Sequence, residues 1–243
     1  MLTVAAIVLT LICGVSVCLG WLLPMHRYTL TPELFCLFTA FAAGMMTCLG
    51  MAATAEHWSA VNAALFCAGW VAMLGLEHLM HRNEHNLNQP TPCSVSACLG
   101  PAMALGMHNL PECFFVLNTS LDSLSLGAGL AFAMILHNIP LGLSLGLAGS
   151  RMRAPLRAIS VLLAGGAPVV MACCLQFFLQ SVIPPENIEL VAPFAGGALC
   201  AIALRQLLPQ AHHQGSTGKT VVGFALGMVV LCGILLSLHS HAH

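Results

Sequence analysis

The pattern His-Asn-apolar-Pro is written twice in this chain, as His108-Asn109-Leu110-Pro111 and as His137-Asn138-Ile139-Pro140. Glu112 follows the first copy directly. On a helix His108 and Glu112 are i and i+4 and share one face. Imidazole together with carboxylate suits a first-row divalent ion such as zinc. Each proline removes one helical N–H and frees a carbonyl four residues earlier, that of Met107 for Pro111 and of Leu136 for Pro140. A single polar residue in an apolar helix is commonly interhelical glue. The repetition, with Glu112 beside one copy, points instead to a metal site between two helices. Asn109 and Asn138 read equally well as ligands and as helix-packing amides.

The elements that must position these residues are membrane helices. The chain has 243 residues, 58% hydrophobic and only 6% charged, against about 25% charged in a soluble domain. Such a chain cannot coat a water-facing surface, so the fold class is an all-α integral membrane protein whose partner is the lipid bilayer. The apolar segments do not alternate as barrel strands would. A net charge of −1, without a basic run or a phosphate-binding loop, argues against nucleic acid. The 12 cysteines are scattered without a CxxC and imply no disulfide framework. The N-terminus lacks the positive region of a signal peptide and reads as a first span.

A span needs about 20 apolar residues. Eight segments qualify: 2–23, 33–54, 60–80, 97–118, 124–148, 157–181, 187–208 and 218–238. They form one domain over residues 1–243, arranged as three, two and three helices around a His-containing loop at 81–96. Arg27, Arg82, Arg151, Arg153, Arg157 and Lys219 lie in or beside the loops after helices 1, 3, 5 and 7, and Arg205 lies near the same end of helix 7. The loops after helices 2, 4 and 6 carry Glu56, Asp122, Glu186 and Glu189 and no base. The positive-inside rule makes the basic side cytoplasmic, which places the 81–96 loop inside and both termini outside. His108, Glu112 and His137 then fall at mid-membrane, where an ionisable residue is a functional candidate by default.

With "HNLPEC" on helix 4 and "HNIPLG" on helix 5, the sequence resembles the ZIP (Zrt-, Irt-like) family of divalent-metal transporters, in particular its bacterial zinc-uptake branch. "FAAGMM" at Phe41 is similar to that family's helix 2, and "AGGALCAIALRQLLPQAHH" at Ala195 to its helix 7. The resemblance implies eight helices, termini outside, a bacterial inner-membrane location and a transport path between helices 4 and 5 with two adjacent metals. His108, Glu112 and His137 would hold the first, with Met46 of helix 2 as a neighbour. Asn109, Glu112 and Asn138 would touch the second. The chain departs from that pattern at Leu141, Ala167, Cys113, Gln210 and Arg205, where the family has glutamate, glutamate, glycine, glutamate and an acidic residue.

Two divalent ions side by side need several carboxylates, and the core offers Glu112 alone. The expectation is therefore transport of one divalent transition-metal ion at a time into the cytoplasm, zinc first, without an organic cofactor. The alternative is a ZIP-like chain that has lost transport and serves as a metal sensor or assembly partner, which the missing carboxylates favour. A membrane metalloenzyme would need a separate general base, and neither that nor an HExxH is present; the chain reads as no enzyme. A bis-histidine haem site fits poorly with two prolines beside the ligands. Peripheral histidines (His78 with Glu77, His57 with Glu56, His81, His85, His212, His213, His239, His241 and His243) read as metal-collecting or as solvated trim. A homodimer is compatible with the small-residue run "AGGALCA", although that run reads more simply as packing within one bundle.

Overall fold

The computed structural model of the chain describes residues 2–22, 31–55, 59–85, 95–149, 153–183 and 190–240. The described residues are almost wholly helical and include no strand. The helices are α1 (Leu2–Leu22), α2 (Pro32–Ala55), α3 (Ala60–His85), α4 (Val95–Asp122), α5 (Leu124–Gly149), α6 (Ala154–Val182), α7 (Val191–Gln214) and α8 (Thr217–Ser240). Six of them, α1, α2, α3, α6, α7 and α8, contain stretches long and apolar enough to cross a membrane. In α5 the apolar stretch Gly127–Leu143 is shorter.

Several helices run past the ends expected from composition. α3 continues to His85, so His81 and His85 lie on a helix rather than in a loop. α7 continues to Gln214, which puts His212 and His213 in its last turn, both exposed. Between α4 and α5 a single residue, Ser123, is non-helical, and its amide still bonds the Thr119 carbonyl at 2.8 Å. Polar residues had marked these stretches as breaks, but a helix can carry polar side chains outward once its apolar part is fixed by packing. Glu56, His57, residues 86–94, Arg151 and His241 and His243 lie outside the described residues.

The contacts divide the helices into two groups. α1, α4 and α5 pack on one another and α6 packs on α1 and α4; α2 packs on α7 and α8, and α3 on α7. α2 with α5, α4 with α7 and α5 with α8 join the groups. Contacting residues also fix relative direction. Cys36 meets Thr220 and Gly44 approaches Phe224, so α2 and α8 are parallel. Asn109 meets Ala164 and Asn118 meets Gln176, so α4 and α6 are parallel. Gly50 approaches Gly196 and Gly215 approaches Cys36, so α2 and α7 are antiparallel. Lys219 pairs with Glu33 at 2.5 Å, at the starts of α8 and α2; so exposed a pair adds little stability, but it puts these two ends on one side.

Apolar tails solvate apolar side chains, so helices in lipid associate through close packing and small residues. The α1–α5 crossing shows this. A Cβ on Gly20 would collide with the Ile139 carbonyl, and one on Gly142 with the Val17 carbonyl. Buried hydroxyls bond their own helix instead, as Thr10 does to the Ala6 carbonyl at 2.9 Å and Thr47 to that of Ala43 at 2.8 Å. Gly142→Ala is expected to lower stability by about 1–3 kcal/mol through overpacking. Gly75→Ala, whose Cβ would meet nothing within 4 Å, should leave it unchanged or higher. Thermal unfolding of the purified protein in detergent compares the two.

Candidate metal centre

α4 and α5 are antiparallel neighbours, and His108 and His137 each sit close to the middle of their helix. Both helices run through their prolines without leaving helical geometry. His108 and Glu112 are one turn apart on α4, and their side chains meet, Nε2 to Oε1, at 3.1 Å. His137 approaches across the interface and bonds the same Oε1 at 3.0 Å. All three residues are buried, Glu112 completely. The two imidazole rings stand edge to face with centroids 6.1 Å apart. Among the described residues this is the one group of three His, Cys, Asp or Glu side chains whose ligand atoms converge, all within 4.8 Å of one another.

The spacing fits an ion. Zinc–ligand bonds of about 2.0–2.2 Å set the ligands of a tetrahedron roughly 3.3–3.6 Å apart. The nitrogen–carboxylate separations are already close to that, and Glu112 Oε2 is buried without a partner. Three donors from two helices leave a position open, the arrangement of zinc sites that exchange what they bind rather than lock it.

Asn109 and Asn138 act first as anchors. Asn109 donates from Nδ2 to the Ala164 carbonyl of α6 at 2.7 Å, and Asn138 from Nδ2 to the Cys13 carbonyl of α1 at 3.0 Å. Each keeps a buried Oδ1 without a partner, so each amide ties its helix to a neighbour and retains one free acceptor. The Ala164 carbonyl is available for a reason written in the sequence. Pro168 lacks an N–H and its ring crowds the carbonyl four residues back, which is that of Ala164. There α6 widens into a π-helical turn over Leu162–Gly166, with the Ala167 amide bonding Leu162. A second π turn, Ala203–Leu207, precedes Pro209 in α7, with Arg205 exposed within it. Such turns are frequent at functional sites. Proline inside an apolar span was the available signal, and Pro168 and Pro209 carry it as clearly as Pro111 and Pro140. α1 presses on the widened turn, where Cβ atoms on Gly14 and Gly165 would each come 2.6 Å from the other's carbonyl oxygen.

The remaining positions divide. Met46 is fully buried in the core that contains Cys113, Met134 and Leu141. Leu141, one turn beyond His137, is a buried apolar side chain. Ala167 is partly buried at the end of the π turn. Cys113 is buried against α1.

Comparison with known proteins fits this geometry. The zinc transporter ZupT of Chlorobium chlorochromatii is 29% identical over 95% of this chain and 96% of its own length. That of Shigella dysenteriae is 27% identical over 94% of this chain and 98% of its own. That of Akkermansia muciniphila is 31% identical over 56% of this chain and 51% of its own. The chain is thus similar, over nearly its whole length, to proteins named zinc transporters. No protein-family model matches it. These relatives are named for transport, not for catalysis, which agrees with a chain that has six helices long and apolar enough to cross a membrane.

The anchoring role of Asn109 has a measurable consequence. Asn109→Asp keeps the shape, removes the donor and sets a carboxylate against the Ala164 carbonyl. It is expected to destabilise the metal-free protein by about 1–3 kcal/mol, the cost of leaving a buried acceptor unpaired. A side chain that mattered only as a metal ligand would leave the melting temperature without metal unchanged.

Proposed function

We propose that this chain carries a divalent transition-metal ion, zinc first, across the bacterial inner membrane into the cytoplasm, binding one ion at a time at His108, Glu112 and His137. The observation that carries the reading is the convergence of three buried donor side chains at the middle of two antiparallel helices. Its relatives, matched over nearly their whole length, are zinc transporters by name.

In this reading α4 and α5 also cross, which makes eight spans. Their 28 and 26 residues are about 42 and 39 Å long at 1.5 Å per residue, more than the roughly 30 Å of hydrocarbon. α4 is less apolar because it carries the site, and it is enclosed by α1, α5, α6 and α7. Alternating crossings demand that α2 and α8, and α4 and α6, be parallel and α2 and α7 antiparallel, as their contacts are. The basic loops then face the cytoplasm and the termini the outside. The ion arrives from outside and leaves inward as one helix group shifts against the other around the midplane site.

Single occupancy follows from charge. Two divalent ions about 4 Å apart repel by on the order of 16 kcal/mol at an effective dielectric of 20, and Leu141 supplies no second carboxylate. Leu141 is also the observation that favours a second reading, a transport-inactive binding protein that senses metal or assembles with a partner.

Zinc uptake into proteoliposomes, beside manganese and iron, tests both readings. The expected result is zinc flux that His108→Ala and Glu112→Ala each reduce at least tenfold. Binding without flux in the wild type selects the second reading. Metal analysis of the purified protein is expected to give one tightly held zinc per chain; two ions in the core would refute single occupancy.

A further inference from the structure

α4 and α6 carry an amide pair that the His108–Glu112–His137 cluster does not use. Gln176 of α6 is 1% exposed, and its Nε2 donates to Asn118 Oδ1 of α4 at 2.9 Å. Its Oε1 is buried without a partner. Ser120, also buried, closes on its own helix by donating to the Val116 carbonyl at 2.6 Å. Gln176 instead reaches to another helix and leaves an acceptor over, and a buried acceptor is costly to leave unpaired. A clasp between helices needs only the donor and acceptor that meet; the spare oxygen calls for a ligand. Asn118 lies about 9 Å beyond Glu112 along α4, at 1.5 Å per residue, and close to the end of the helix at Asp122. Phe114, Phe115, Val116 and Leu117 between them are buried and apolar, so α4 offers an ion no side-chain donor in that interval. Thr119, half-buried beside Asn118, returns to the helix face that carries Glu112.

We propose that Asn118 and Gln176 form an outer station for the ion, where a partly hydrated divalent cation rests on their two side-chain oxygens before it crosses to Glu112. The inference rests on the transport reading, in which α4 and α6 both end on the outer side. Polar side chains within membrane spans face the bundle interior and mark ion pathways. Asn118 is half-buried and Gln176 enclosed, so the pair leads from the edge of the protein inward. Asn118 Oδ1 keeps a second lone pair beside the bond from Gln176, and Gln176 Oε1 keeps both. Carbonyl oxygen and water suit hard divalent ions, whereas imidazole suits zinc. The station therefore admits ions with little choice, and selection falls to His108 and His137. Neutral oxygens replace part of a hydration shell without holding the ion tightly, and a conducting path needs sites that bind and then release.

Zinc uptake into proteoliposomes holding the full chain, measured over a range of external zinc, separates KM from kcat. Gln176→Met keeps the length and removes the oxygen; it is expected to raise KM at least fivefold with kcat within twofold of wild type. Asn118→Leu should do the same, so the test does not hang on one variant folding. Gln176→Glu keeps two oxygens and adds charge, so the ion is held longer, and KM is expected to fall together with kcat. A clasp alone predicts otherwise: Gln176→Glu loses the donor to Asn118 just as Gln176→Met does, and the two would change alike. Equal effects of those two substitutions, or an unchanged KM in Gln176→Met and Asn118→Leu, would overturn the station and leave transport at the central site standing. Absence of flux in the wild type would overturn the transport reading and the station with it.

Discussion

Everything in this molecule is arranged around one carboxylate in oil. Glu112 is wholly enclosed, and its Oε1 is shared by His108 and His137 at about hydrogen-bond distance. An uncompensated charge there would cost several kcal/mol. Compensation must come from side chains that arrive at the same depth from two helices. That requirement fixes the register of α4 against α5 and, through the Asn109 and Asn138 amides, the register of both against α6 and α1.

The anchoring uses what proline leaves behind. In water a carbonyl freed by proline is hydrated; inside a membrane it must find a donor within the protein. The Ala164 carbonyl finds the Asn109 amide, so the break in regularity that Pro168 imposes on α6 and the residue that follows His108 in α4 are joined by one hydrogen bond. The π turn brings this carbonyl out of the helical ladder, and Gly14 and Gly165 allow α1 to close over it. Small residues, prolines and asparagines therefore work as one set.

Much of this was legible in the sequence. Composition gave the all-α membrane class, and the repeated His-Asn-apolar-Pro with Glu112 named the three side chains that converge. Helix ends were less legible, because polar residues such as His81 and His212 ride on helices that packing extends. The dual character of Asn109 and Asn138 could not be resolved by type and spacing, since an amide's partner is a carbonyl far along the chain.

The π turn in α6 has one more consequence, for helical phase. The residues that α6 buries along the bundle include Ser160, Ala164, Pro168, Ala172 and Gln176, spaced by four. On a helix of 3.6 residues per turn, four such steps rotate the stripe by about 160°, which would carry Gln176 nearly to the opposite side from Ser160. A wider turn unwinds part of that rotation. Beyond it, α6 meets α4 again at the Gln176–Asn118 bond at 2.9 Å, after the Asn109–Ala164 bond within the turn. The local irregularity acts as a vernier: it resets the screw of one helix so that residues spaced by four stay on its buried side.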